Sequence, residues 1–236
     1  MVGSLIGPNW LRTDSGSLAR VAEDVKSRRR YSSAVRAEQA AATRLAVLGA
    51  ARELFTQHGY AATSIAAIAQ RAGVAVDTVY AAAGRKPALL RELVETSLSG
   101  SDQTVPAEQR DYVVRVRAAS SAREKIAIYA AAVAEIGVRM APVHRALAEA
   151  SVADADCAAL RAEISTRRAD NMRLFAADLR ATGELRGDLP DDEVADIVWS
   201  MNAAEYRALL VGERGWSAER FGSWLADAWT RLLLEG

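Results

Sequence analysis

The sequence is poor in the residues that build disulfides and metal centres. Its 236 residues include one cysteine, Cys157, and two histidines, His58 and His144. A single cysteine excludes an internal disulfide and favours a reducing compartment. So few cysteines and histidines also argue against a His/Cys metal site. We therefore expect no metal at any site in this protein.

The chain also lacks long apolar runs, because charged residues interrupt them every few positions, so no transmembrane helix is predicted. No basic-then-hydrophobic leader opens it. We find neither a Gly-rich phosphate loop nor a nucleophile elbow. The acidic run Asp191-Asp192-Glu193 suits a helix start, where carboxylates complement the dipole. These absences predict a cytoplasmic protein with no membrane partner, no cofactor and no enzymatic activity.

The chain is rich in alanine and contains 15 glycines and 5 prolines. Half of its residues are hydrophobic. This composition favours an all-α protein, and the length suits one small and one medium domain. The formal net charge is zero, yet residues 1–100 hold 13 Lys/Arg against 8 Asp/Glu, and residues 101–236 hold 17 against 22. A basic first part and an acidic remainder favour docking of the first part on phosphates.

Residues 43–98 have the pattern of a helix, a helix-turn-helix and a fourth helix. Apolar residues recur at helical spacing up to Phe55, and Gly59 is a predicted stop. Thr63 or Ser64 is positioned to cap the next helix, and Gly73 makes the turn into a second short helix over about 75–82. Such a turn leaves the second helix able to enter a major groove.

This segment resembles the DNA-binding domain of the tetracycline-repressor (TetR) family of transcription regulators. The resemblance keeps the family's order and spacing without a gap over about a quarter of the chain. It is carried by the following residues: Ala50-Ala51-Arg52-Glu53-Leu54-Phe55, Gly59-Tyr60, Thr63, Ile68-Ala69, Ala72-Gly73-Val74, Thr78-Val79-Tyr80, Lys86 and Leu89-Leu90.

The resemblance implies that double-stranded operator DNA is the partner and that the second short helix lies against it. The positions expected at the DNA are Thr63, Ser64, Ala75, Val76, Asp77, Thr78, Tyr80, Ala81 and Lys86. Thr63 offers a hydroxyl and a backbone N–H to phosphate, whereas Tyr80 and Lys86 match positions that usually contact the backbone. Where the family often has polar, basic or aromatic groups, this chain has alanine at 81–83, so we expect sparse reading of base edges.

The basic cluster Arg28, Arg29 and Arg30 precedes this segment. A solvated charge run is the alternative, but its position favours an arm that reaches the minor groove. We predict a mobile basic arm over 1–36, an N-terminal three-helix DNA-binding domain over 37–98 with its helix-turn-helix at about 64–83, and a C-terminal helical ligand-binding and dimerisation domain over 107–236. Within the last we expect helices over about 121–138, 156–182, 191–211 and 217–233, and a short helix through Ala150 that Pro142 starts or kinks.

The resemblance further implies a homodimer paired through its last two helices and a pocket walled by the helices before them. The pocket residues expected are Met140, His144, Met172, Phe175, Trp199 and Asn202. Their composition indicates a small apolar or mixed effector. The leading hypothesis is thus a DNA-binding regulator, a repressor released by its ligand. The rival is an all-helical enzyme or small-molecule carrier that retains a degenerate DNA-binding domain.

Overall fold

The structure, a computed structural model, describes residues 15–101 and 103–235, with side chains from residue 35 onward. The chain separates into two units, Met1–Thr43 and Arg44–Gly236. The second unit contains both the DNA-binding segment from residue 44 onward and the C-terminal helices. The described part of the first unit is helical and begins α1 (Ser15–Ala62), so the Arg28–Arg30 backbone is helical, whereas their side chains lie outside the described residues.

The helix-turn-helix forms where its capping residues predict it. Gly59 interrupts α1 with a φ of 80°, a conformation that side-chain-bearing residues rarely adopt. Ser64 caps α2 (Ile65–Ala72), and Gly73, at φ 70°, turns the chain into α3 (Val76–Ala83). The fourth helix is α4 (Lys86–Ser99). Helices α2, α3 and α4 lie within a residue or two of the predicted positions, whereas α1 begins at Ser15, well before the predicted start near residue 43.

Six further helices follow. Their bounds are α5 (Asp111–Ala118), α6 (Ala122–Ala153), α7 (Ala155–Arg180), α8 (Asp191–Met201), α9 (Ala204–Arg207) and α10 (Ala218–Leu233). A 3₁₀ turn over Ala107–Gln109 precedes α5, and a π-helical stretch, Ala208–Glu213, follows α9. The fold is all-α, as predicted; in the described ranges the only β contact is an isolated bridge between Leu185 and Leu234.

Two features of these helices differ from the prediction, and one helix, α5, was not predicted. Pro142 does not start a helix but lies inside α6, which spans 32 residues. The helix predicted over 191–211 instead breaks after Met201, where Asn202 ends α8. Packing explains these differences, since α6 contacts α4, α5, α7 and α10, and these contacts outweigh the local cost of a proline.

Two apolar cores share the long helices. The first joins α1–α4, with Phe55, Ile68, Val79 and Leu90 at its centre, to the C-terminal half of α6 and the start of α7. The second joins α5, α8 and α10 to the other halves of α6 and α7. The DNA-binding segment therefore has no closed core of its own. A displacement of α6 or α7 is transmitted directly to its packing.

Helix α6 is the only helix in the described ranges long and apolar enough to cross a membrane. Its buried positions, among them Ile126, Ala130 and Leu147, pack against neighbouring helices of the same chain. This packing is typical of the central helix of a globular domain, so the length and composition of α6 do not indicate a membrane protein.

Candidate nucleic-acid interface and effector region

Helix α3 has one buried and one exposed face. Val79 is fully buried against the first core, whereas Val76, Tyr80 and Ala81 face solvent together with Asp77. Of the other predicted contacts on this helix, Ala75 is exposed at its start and Thr78 is half-buried. The exposed surface is a short apolar ridge with one carboxylate and one phenol. Such a surface fits a groove but offers few hydrogen bonds to base edges.

At the start of α2, the two residues predicted as possible caps, Thr63 and Ser64, have different roles. The Ser64 hydroxyl accepts the Ala67 N–H at 3.1 Å, and Ser64 is exposed. Thr63 is buried; its hydroxyl donates to the Gly59 and Leu54 carbonyls at 2.8 and 3.2 Å, and its N–H donates to the Tyr60 carbonyl. Both Thr63 donors are therefore used within the protein. Ser64, and not Thr63, presents polar groups to an approaching phosphate.

Lys86 has a structural partner. Its ammonium donates to the Tyr60 carbonyl at 2.6 Å and lies 4.0 Å above the centre of the Tyr60 ring. Desolvation lowers the pKa of Lys86, although Asp154 and Glu149 oppose the shift. The contact fixes the turn after Gly59 to the start of α4. A phosphate bound by Lys86 would have to share the ammonium with this contact.

Sequence reasoning missed Arg85, the residue that precedes α4. Its side chain is exposed, and within the described residues it forms no ion pair. The nearby Arg71, in contrast, is paired with Glu53 at 2.7 Å. A guanidinium just after the recognition helix is well placed for a phosphate. Its position beside Lys86 in the Gly84-Arg85-Lys86 sequence was the available signal.

Some of the predicted pocket residues pack in the apolar cores, and others belong to a hydrogen-bond network. Met172 and Phe175 are buried in the second core, and Met140 packs against the first core. Asn202 donates to the Tyr129 hydroxyl at 2.9 Å, and that hydroxyl donates to the Met172 sulfur at 3.4 Å. Met172 and Phe175 therefore contribute to the packing of the second core, and Asn202 contributes to a hydrogen-bond network. The network does connect α6, α7 and the break after α8.

Arg168, which the sequence did not single out, organises this network. Its guanidinium donates to the Trp199 carbonyl at 2.9 Å and to the Asn202 side-chain oxygen, and it lies 5.4 Å from the Trp199 ring centre. Burial lowers the pKa of His144, with Arg161 and Arg168 acting in the same direction and Glu205 against it. Arg161 and Arg168 are seven residues apart and therefore lie on the same face of α7, which was the only indication of this cluster in the sequence.

Two surface grooves lie elsewhere. One of about 740 Å³ is lined by alternating charges near the C-terminus, among them Arg186, Asp188 and Asp227. The other, of about 260 Å³, lies between the end of α1 and α6, at Gly59, Pro142 and Glu149. Neither includes a predicted pocket residue. Within the described ranges no group of His, Cys, Asp and Glu is arranged to hold a metal.

Several side-chain contacts join α1 and α4 to the C-terminal helices. Arg52 donates to the Arg139 carbonyl at 3.3 Å and to the Ser97 hydroxyl at 2.9 Å, and Arg139 donates to the Ser97 carbonyl at 3.1 Å. The Tyr60 hydroxyl donates to Asp154 at 3.0 Å. These contacts run from the DNA-binding helices to the middle and the end of α6.

Residues 47–93 match the model of a family of bacterial regulatory proteins, the TetR family. A comparison of the sequence with curated proteins finds no significant match. Among solved structures, SmeT in complex with triclosan is 20% identical, with a TM-score of 0.62 over 82% of this chain and 92% of that one. TylP, a TetR regulator from Streptomyces fradiae, is 23% identical, with a TM-score of 0.55 over 85% and 89%.

The fatty acid degradation regulator FadR from Bacillus halodurans is 15% identical, with a TM-score of 0.63 over 79% of this chain and 94% of that one. At these identities the likeness establishes the fold. A helix-turn-helix with an exposed recognition helix, joined to a larger helical domain, defines a DNA-binding transcriptional regulator. Because residues 47–93 match the family model, this segment is a TetR-type DNA-binding domain, and the chain as a whole shares the fold of the TetR regulator TylP.

Proposed function

We propose that the protein is a homodimeric repressor that leaves its operator when a small molecule binds the C-terminal helices. The observation that carries the DNA-binding half of this proposal is the exposed face of α3, supported from below by the buried Val79. A short helix presented in this way fits the major groove. The proposal places the protein in the cytoplasm and gives it no catalytic role.

The proposed DNA contacts fall into two kinds. Ser64, Tyr80, Arg85 and Lys86 contact phosphates, with Arg85 an addition to the predicted set and Thr63 removed from it. The second kind is contact with base edges by the exposed α3 residues Ala75, Val76, Asp77, Thr78 and Ala81. Since the α3 residues include one charged group and mostly short side chains, phosphate contacts and DNA shape supply most of the affinity.

Ligand release is supported by the shared helices. Helices α6 and α7 contribute to both cores, so a molecule bound beside Arg168 and Asn202 can act on the packing of α1–α4. An effector acts only by favouring the geometry that does not bind DNA. SmeT, which shares the fold, is solved with triclosan.

Dimerisation through α8 and α10 would place two α3 helices on successive major grooves, about 34–36 Å apart. Exposed apolar side chains on and near these helices supply a surface for such pairing. They are Tyr206, Leu209 and Leu232, each more than a third exposed.

The test is DNA binding across a salt series, with the intergenic DNA beside the protein's own gene and a scrambled duplex of equal length. Arg85→Gln is expected to weaken binding to both duplexes and to lower the slope of log K against log salt by about one unit. Arg173→Gln, an exposed arginine on α7, is the matched control and leaves both unchanged. If the wild-type protein binds the two duplexes equally at every salt concentration, it reads no operator and the proposal fails.

Repression has a separate test. A reporter driven by the same intergenic DNA is expected to rise when the gene is deleted and to fall again when the wild-type gene is restored. A variant with Tyr80 and Arg85 both replaced by alanine restores no repression while remaining folded. A fall in reporter activity on deletion would make the protein an activator.

A further inference from the structure

Two arginines border the break between α8 and α9 without a carboxylate partner. Arg168 donates only to neutral acceptors, the Trp199 carbonyl and the Asn202 amide oxygen. Arg207, at the end of α9, has a buried Nε with no acceptor, and within the described part of the chain its guanidinium forms no hydrogen bond or ion pair. Burial lowers the pKa of each. Half-buried guanidinium groups are costly unless an anion compensates them.

Arg207 lies where α6 has a glycine. A Cβ built on Gly137 would lie 2.7 Å from the Arg207 Cδ, so any larger residue at position 137 would displace the arginine. Helical spacing puts Gly137, Met140 and His144 on one face of α6. The arginine therefore approaches α6 through a notch on the face that carries two of the predicted pocket residues.

The region has an excess of hydrogen-bond donors. The Trp199 Nε1 is buried without an acceptor. The Trp229 Nε1 is also unpaired, and its ring stacks on Tyr129 at 5.7 Å. Unpaired buried donors are uncommon in folded proteins and call for an explanation. The charged groups nearby are His144 and Arg161 on α6 and α7, and Glu205 on α9, whose carboxylate is exposed.

We propose that this region binds a small organic anion, a carboxylate with an apolar body, and that Arg168 and Arg207 hold its charged group. The inference rests on the proposed ligand response and names the class of its effector. An arginine fork pairs with a carboxylate through two parallel N–H groups. The Trp199 indole, whose ring centre lies 5.4 Å from the Arg168 guanidinium, supplies an apolar surface beside the charge, so the charged group needs an apolar body behind it.

An alternative role for Arg168 is to cap the carbonyls at the C-terminal end of α8, which its bonds to Trp199 and Asn202 accomplish. That role leaves most of its N–H groups uncommitted and does not account for Arg207, which contacts no helix terminus. The π-helical stretch that follows Arg207 supports a binding role, since π-helical turns occur frequently at functional sites.

The test compares octanoate and 4-phenylbutyrate with their primary amides, which keep the shape and lose the charge. In the full-length protein each carboxylate is expected to bind at least tenfold more tightly than its amide by calorimetry and to raise the melting temperature. Arg168→Gln and Arg207→Gln each remove this preference, and Gly137→Ala weakens carboxylate binding. Arg173→Gln, on the same helix as Arg168, retains the full preference. Equal binding of carboxylate and amide, or no binding of either carboxylate, overturns the proposal.

A second measurement needs no ligand. Because Arg207 forms no hydrogen bond or ion pair with any residue that the structure describes, Arg207→Met is expected to leave the melting temperature unchanged within about 2 °C or to raise it. A larger fall would give Arg207 a structural role and overturn its assignment. Release of labelled operator DNA separates the two proposals. If the carboxylates bind through the two arginines but do not release operator DNA, the proposed ligand response is wrong and the anion site stands. If the amides release operator DNA as well, the anion site is wrong and the ligand response stands.

Discussion

The Tyr60 hydroxyl donates a hydrogen bond to the Asp154 carboxylate at 3.0 Å, across 94 residues of chain. Tyr60 follows the Gly59 break in α1, and Asp154 caps α7 by accepting the N–H groups of Asp156 and Cys157. The Cys157 thiol also donates to the Tyr60 hydroxyl, at 3.4 Å. The turn that precedes the helix-turn-helix is thus fixed to the junction of the two longest C-terminal helices.

Tyr60→Phe removes this hydroxyl and is expected to lower the free energy of unfolding by about 1–2 kcal/mol, because a hydrogen bond to a carboxylate is lost. Denaturant titration measures the change. Tyr112→Phe is the matched control, since the Tyr112 hydroxyl forms no hydrogen bond within the described residues and its ring packs on Tyr129. A double-mutant cycle with Asp154→Ala that shows no coupling would contradict the contact.

Thr63 and Ser64 are neighbours with different expected effects. Thr63→Val is expected to destabilise the fold by about 1–3 kcal/mol, because it leaves the Gly59 and Leu54 carbonyls without the hydroxyl donor. Ser64→Ala removes an N-cap and costs about 1 kcal/mol. At a temperature where both variants are fully folded, only Ser64→Ala weakens DNA binding. Direct loss of phosphate contacts in folded Thr63→Val would contradict the assignment.

His144 makes the stability depend on pH. Burial lowers its folded-state pKa below the ordinary value near 6.5, so the unfolded chain takes up the proton first. The free energy of unfolding is therefore expected to fall as the pH drops below about 6.5. His144→Gln flattens this dependence between pH 7 and 5, measured by denaturant titration at each pH. An unchanged pH dependence in folded His144→Gln would contradict this assignment.

Substitutions at Leu225 and Leu232, both on α10, test folding and dimer assembly separately. Leu225 is fully buried in the second core, whereas Leu232 is 42% exposed. Leu225→Glu is expected to lose more than about 4 kcal/mol and to unfold, because a carboxylate replaces a buried apolar group. Leu232→Glu stays folded and sediments as a monomer. A wild-type protein that sediments as a folded monomer at micromolar concentration would contradict the dimer.

The sequence alone determined the DNA-binding segment almost completely. Its helices follow from local signals, namely the positive-φ glycines at 59 and 73, the Ser64 cap and the apolar stripe that ends at Phe55. These signals act over a few residues and can therefore be read without knowledge of the fold. The all-α class followed from composition and helical spacing in the same way.

Tertiary structure decided what depends on distant neighbours. Pro142 stays inside α6 because packing on both sides holds that helix, and α8 breaks at Asn202 because Arg168 and Tyr129 bind the Asn202 side chain there. The pocket prediction selected apolar and aromatic residues, several of which pack in the cores. The pocket prediction did not include Arg168 and Arg207, because an arginine in a sequence is usually expected to be exposed at the surface. Only the fold shows that these two side chains are half-buried and that no carboxylate among the described residues pairs with them.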